Sequence, residues 1–323
     1  MRQLGLQSIP RWLSLLLRYV LGAAIIYWLL QNQTIEWRQV LSLTTPYILF
    51  GGGLVLAQLL VSAYRVKLLL HGQGVEVSLA NCVKFNSIGI FYATFLPGGI
   101  PGDVARAYFF WKEYPKASKT SLAGALFLDR FCGLTTMIFI GLLAASFMLT
   151  IEGSMQRYVV AGWMCLIGGV IFYIWMGRYV VFKNMESPNG RLAGIWFQFR
   201  KFFCKIQLNN YDLTKIWIVL LFSAFIHLSA VFMIYTFSVH VGSGLSLIQV
   251  TAVSPVGLLA NALPISPGGI GVGEKSFDVL FYIVGGTGGG TTFLITRIFM
   301  YSPALIGGCV LLSSFFRAHL RNR

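Results

Sequence analysis

The sequence predicts an all-α polytopic membrane protein. The expected architecture is an inverted repeat of about six full spans plus two Pro/Gly-broken re-entrant hairpins, or about eight nominal transmembrane helices. Three observations lead there. Apolar residues make up 56% of the 323 positions and charged ones only 11%, outside the composition of soluble globular domains. Apolar runs of about 20 residues, enough to cross a bilayer core, recur along the whole chain. Two further apolar runs end at the same helix-breaking tetrapeptide, PGGI, at 97–100 and 267–270.

The first apolar run, Trp12–Leu30, follows Arg2 and Arg11. It is too long for the apolar region of a signal peptide and ends at no A-x-A-like site, so it reads as a retained span. Full spans are also expected over 46–68, 120–149, 157–180, 214–240 and 291–316. The segments 79–96 and 246–264 run into the Pro/Gly clusters, and each is followed by a shorter piece, 103–114 or 273–284. Positive charge decides how these broken segments sit. If both are hairpins, most of the 25 Lys and Arg residues share one face with a cytoplasmic N-terminus. Arg65, Lys84, Arg106, Lys112, Lys116, Lys119 and the basic 181–213 loop are among them. Arg38, Arg157 and Lys275 fall opposite, and Arg130 and Arg297 fall inside membrane segments. A full crossing at 79–96 would move the 106–119 cluster outside, against the positive-inside rule. Hairpins are therefore favoured, although a steep hairpin arm and a span read alike. Both termini are then cytoplasmic, in a multi-pass protein of the inner (plasma) membrane.

On this reading residues 1–323 form a single integral membrane domain with halves of approximately 1–153 and 154–323. Each half follows the plan span, span, broken hairpin, span. Three crossings per half is an odd number, so the second half is inverted. Broken helices in inverted repeats place polar sites near the membrane midplane.

Pro removes a backbone donor and Gly permits positive φ, so both breaks free peptide groups from helical pairing. Such groups do not survive against lipid; they need protein, water or a polar ligand. One reading is a plain hairpin turn satisfied by neighbouring chain. The other is a site, because helices restarting after each tip aim partly positive N-termini inward. Asp103 and Glu274 stand at these restarts, as helix caps or as site residues. Arginine at depth costs at least about 2.5 kcal/mol and reads as functional by default. Arg130 lies deepest; Arg297 is near enough to its span end to snorkel. The candidate site is a central cluster of Asp103, Arg106, Arg130, Glu274 and Arg297, the arginines holding a phosphate by forked hydrogen bonds. Arg106 serves equally well as a topology charge, and Asp129 points about 100° away from Arg130, toward another contact. His227 reads first as a packing histidine. Asp278 shares a helical face with Glu274. GGTGGG at 285–290 lacks the GK[ST] of a P-loop and reads as a flexible outer connection.

The net charge of +15 does not indicate nucleic acid, because the basic residues lie between apolar runs. The five cysteines form no CxxC pair and have no metal-ligand spacing. No metal or other cofactor is expected.

The segments FLPGGIPGDVARAY (95–108), DRFCGL (129–134) and LPISPGGIGVGE (263–274), with Arg297, resemble the lysylphosphatidylglycerol synthase transmembrane-region family. That family includes the flippase-like membrane half of the bacterial multiple peptide resistance factor. The resemblance implies a stand-alone member that translocates a phospholipid or a polyprenyl-phosphate-linked lipid, flippase- or scramblase-like. Its anionic headgroup would be held between the two hairpins. It implies Asp103, Arg106, Arg130, Glu274 and Arg297 as substrate-binding residues. Pro97, Gly98, Gly99, Gly102, Pro264, Pro267, Gly268, Gly269 and Gly271 would form the hairpin backbone. The aminoacyl-transfer domain of full-length synthases is not expected after Phe316, which favours a transporter over an enzyme. Two alternatives stay open. One is an intramembrane transferase or phosphatase on a lipid phosphate, with Asp103 and Glu274 as acid and base. The other is a non-catalytic partner of a lipid-modifying enzyme, docked through the basic loop, which also suits anionic headgroups at the cytoplasmic face. One departure is Gly273, where an arginine is expected beside the glutamate; Lys275 is the nearest substitute.

Overall fold

A computed structural model describes residues 35–96, 100–148, 153–179 and 213–321, with the single positions Val20, Tyr27 and Gln31 before them. The expected first span at 12–30, the loop at 181–212 and Pro97, Gly98 and Gly99 lie outside the described residues. All regular structure among the described residues is helical.

Five stretches among the described residues are long and apolar enough to cross a membrane: Thr45–Gly72, Lys119–Phe147, Gln156–Tyr173, Thr214–Val241 and Gly289–Ser314. They coincide with the expected spans from 46–68 onward. A short helix, α1 (Trp37–Leu41), precedes them. The helices that follow are α2 (Thr45–Gly72), α3 (Leu79–Phe95), α4 (Ile100–Glu113), α5 (Lys119–Phe147) and α6 (Gly153–Tyr179). After the undescribed loop come α7 (Leu213–Val241), α8 (Leu247–Asn261), α9 (Val272–Ile283), α10 (Gly289–Met300) and α11 (Ser302–Arg321). The last run, expected as one piece over 291–316, is thus divided at Tyr301. Pro303 explains the break, because it has no N–H for the carbonyl of Phe299. The Ser302 hydroxyl donates to that carbonyl instead, at 2.8 Å.

The broken segments form two helix pairs, α3–α4 and α8–α9. At 17 and 15 residues, α3 and α8 are about 25 and 22 Å long, short of the ~30 Å hydrocarbon core. Each begins at a serine cap: Ser78 accepts from the backbone N–H of Asn81, and Ser246 forms a capping box with Gln249. A serine oxygen there satisfies an N–H that the first helical turn leaves open.

The two runs α2–α5 and α7–α11 share one order of elements. Their packing is reciprocal. α3 lies along α4 and along α11, while α8 lies along α9 and along α5. α2 packs against α7. Small residues make these approaches possible, as in other membrane helix interfaces. A Cβ on Gly102 would stand 2.5 Å from the Gly89 carbonyl oxygen, and one on Gly307 would collide with that of Ser87. At the base of α4 and α5, Lys119 Nζ sits 4.0 Å from the ring centroid of Trp111. With Lys112 and Lys116 nearby, this is the aromatic-basic composition of a membrane interface.

Candidate functional site

The five sequence-derived candidates fall into two groups, one on each broken helix pair. Among the described residues no ion pair joins the groups.

The first group is built by α2, α4 and α5. Asp103, in the first turn of α4, accepts Arg130 Nε at both carboxylate oxygens (3.0 and 2.9 Å) and Arg130 Nη2 at 2.9 Å. This is the forked pairing that guanidinium and carboxylate geometry favours. Arg106, one turn along α4, donates to Asp103 at 3.3 Å and to Asp129 at 3.2 Å. Asp129 also accepts Arg65 Nε at 2.8 Å, and Arg65 Nη1 reaches the Ser223 hydroxyl at 2.8 Å. The chain of charges therefore runs Arg65, Asp129, Arg106, Asp103, Arg130. Arg106 is buried, its stem pressed on α3 where a Cβ on Gly89 would collide with Cγ. Its Nε is buried without a hydrogen-bond partner.

Two residues expected as topology charges are not free surface charges. Arg65 is buried in α2, where Asp129 and Ser223 compensate it inside the bundle. Arg106 is likewise no free surface charge, since Asp103 and Asp129 hold it in the interior. Asp129 does serve a contact separate from Arg130, namely these two arginines.

The second group is built by α8, α9, α10 and the second tip. Gly268, Gly269 and Gly271 have φ of 57°, 71° and 82°, which explains why glycine fills these positions. The turn points the Gly268 and Gly269 carbonyls at Arg297, which donates to them at 2.6 and 3.0 Å. Arg297 also donates to Asn261 Oδ1 at 2.8 Å and pairs in forked fashion with Glu274. Its guanidinium carbon lies 5.0 Å from the centroid of the Phe293 ring. Glu274 in turn caps α9, accepting the Gly271 N–H at 2.7 Å. Its capping and ion-pair roles coincide. Lys275 pairs with Asp278 at 3.0 Å.

Each group follows one of the two breaks, and the two differ in character. Glu274 and Arg297 have side-chain exposures of 0% and 5%, and all three guanidinium nitrogens of Arg297 are used. The arginine of the first group, Arg130, has a side-chain exposure of 58%, and its carboxylate partner Asp103 is one-third exposed. The first group sets three guanidiniums against two carboxylates, while the second is a neutral pair. The tips of the two helix pairs touch: a Cβ on Gly268 would stand 2.6 Å from the carbonyl oxygen of Thr94, just before the first break. Asn261, Arg65 and Ser223 were not among the sequence candidates. Asn261 had one signal, its place six residues before PGGI at the end of an apolar helix.

The model of the family described as Lysylphosphatidylglycerol synthase TM region matches residues 15–308, nearly the whole chain. The chain belongs to that family. A UPF0104 membrane protein of Pyrococcus horikoshii is 20% identical over 335 aligned positions, covering 94% of this chain and 97% of the relative. In this member of the lysylphosphatidylglycerol synthase TM region family, both Pro/Gly motifs carry the carboxylates that engage the in-span arginines. Gly273 has a local reason: a Cβ there would collide with the Phe293 ring and stand 2.6 Å from Arg297 Nη2. The site where an arginine was expected is filled by Arg297 from α10.

Proposed function

We propose that this protein is a lipid translocase that holds an anionic headgroup at the first charge group, against Arg130 and Arg106. One observation carries the reading. An arginine about halfway along an apolar span is more than half exposed, beside a cluster with one positive charge in excess. Arginine facing hydrocarbon is costly, and a phosphate diester or monoester is the partner its remaining N–H groups fit. Asp103 orients Arg130 and leaves Nη1 without a partner among the described residues.

The second group has a different role in this proposal. Saturated and neutral, it fastens the tip of α8–α9, so that the tip's carbonyls and N–H groups stay paired inside the membrane. Headgroup binding thus belongs to Asp103, Arg106 and Arg130, and Glu274 and Arg297 act as the scaffold. The inverted repeat is part of the same reading. Support comes from the shared element order, the reciprocal packing and the matched pairs Asp103–Arg130 and Glu274–Arg297. The basic interface of Lys112, Lys116 and Lys119 supports a cytoplasmic location for the α4–α5 connection and both termini, in an inner membrane.

The test is reconstitution in liposomes with leaflet-resolved reporting of a headgroup-labelled anionic phospholipid. Wild type should exchange the lipid between leaflets, and Arg130→Ala should slow exchange at least tenfold while remaining folded. Equal exchange by both removes Arg130 from the mechanism. No exchange by a folded wild type, with any anionic lipid tried, overturns the translocase reading.

A further inference from the structure

We propose that one hydrocarbon chain of the bound lipid lies in a groove between α5, α6 and α8, with its phosphate at Arg130. The inference rests on the headgroup reading above and deepens it by placing the tail. The groove has a volume of about 530 Å³ and is lined by Leu134, Ile138 and Ala145 of α5, by Leu166 and Gly169 of α6, and by Val256 of α8, among others. That volume lies within the range of small-molecule sites. Leu134 and Val256 are exposed, as is Leu259 farther along α8, so the groove opens sideways rather than into a closed core.

Three features commit it to a lipid tail. The lining is mostly apolar, and Thr135, one of its few polar side chains, turns its hydroxyl to the Phe131 carbonyl at 2.8 Å. From Leu134 to Ala145 the helix rises about 16 Å, close to one leaflet of a ~30 Å hydrocarbon core. The row Leu134–Ile138 continues one turn toward the helix N-terminus at Arg130, because residues four apart share a helix face. Apolar groove and exposed cation are therefore consecutive on α5, in the order of an amphiphile with a negative head. An inner-leaflet lipid whose head has been drawn halfway across the membrane would have its tail at this depth.

Gly169 supplies the test. A Cβ there meets nothing within 4 Å, and glycine within a helix is a poor helix former. Gly169→Phe therefore fills the groove without forcing the backbone, and its melting temperature should stay within a few degrees of wild type. Phosphatidylglycerol carrying a photoreactive diazirine at the end of one acyl chain, or in the headgroup, is incorporated with the full-length protein in nanodiscs. Cross-linked peptides are mapped by mass spectrometry. Tail labelling should concentrate on 134–145 and 162–170, and fall at least fivefold in both Gly169→Phe and Arg130→Gln. A tail-labelled polyprenyl phosphate run in parallel tells which phosphate lipid is preferred, and preference for either supports the groove.

Headgroup labelling near Asp103 and Arg130, with tail labels spread evenly over all outer helix faces and unchanged in Gly169→Phe, would overturn the groove and leave the headgroup site standing. Loss of headgroup labelling near Arg130 would overturn the headgroup reading itself. Equal groove labelling by tail-labelled phosphatidylcholine would remove the requirement for negative charge. A disulfide formed between the thiol introduced by Ile138→Cys and a second cysteine placed within 12–30 would show the chain's own first apolar run in the groove, and also overturn the proposal.

Discussion

Two arginines, Arg130 and Arg297, each pair with a carboxylate that follows a break, and their different surroundings lead to different expected consequences of removal. Arg297 is enclosed by Glu274, Asn261 and two backbone carbonyls. Removing one partner of such a buried pair leaves an uncompensated charge and costs about 3–5 kcal/mol. Arg297→Ala should therefore lower the melting temperature sharply or abolish monodisperse protein on size exclusion. Arg130→Ala should cost less stability than Arg297→Ala, because Arg106 still donates to Asp103 when Arg130 is removed, and its loss should appear chiefly in lipid exchange. Asp129→Asn offers a third comparison. It withdraws the charge shared by Arg65 and Arg106, so instability on the scale of Arg297→Ala is expected, measured by the same thermal unfolding. If Arg130→Ala proves as unstable as Arg297→Ala, the division between site and scaffold fails.

The helix pairs α3–α4 and α8–α9 depend on backbones coming close together. Gly102→Val would drive a branched side chain into the Gly89 carbonyl and Ala93, and should separate α4 from α3. Gly268→Ala adds a Cβ at positive φ and within reach of the Thr94 carbonyl. It should part the two tips and increase proteolysis within 262–271, read by limited digestion in detergent. These elements were legible in the sequence because Pro and Gly punctuate apolar runs strongly, and Asp103, Arg130, Glu274 and Arg297 were legible because ionic groups are rare in spans. The Arg65–Asp129 bond was not. Its partners are 64 positions apart, on helices whose adjacency no local pattern states, and Arg65 lies near enough to the end of α2 to resemble a topology charge. The division of the last span was missed because Pro303 near the beginning of a helix is also an ordinary start. A proline at that place ends one helix and opens the next without leaving an apolar gap.

At the scale of the molecule, sidedness is the first question. The basic α4–α5 connection and the glycine-rich α9–α10 connection should lie on opposite faces. Single cysteines at Lys116 and Thr287, probed in intact cells with a membrane-impermeant maleimide, should give labelling at Thr287 only. Labelling of both would show that one broken pair crosses completely and would remove the two-hairpin topology. The reciprocal packing reaches further. Because α3 rests on α11 and α8 rests on α5, each of the runs α2–α5 and α7–α11 covers a helix of the other. A polypeptide severed in the basic loop would leave two sticky remnants, prey to proteases when made singly, yet able to find each other in the same membrane and restore the whole.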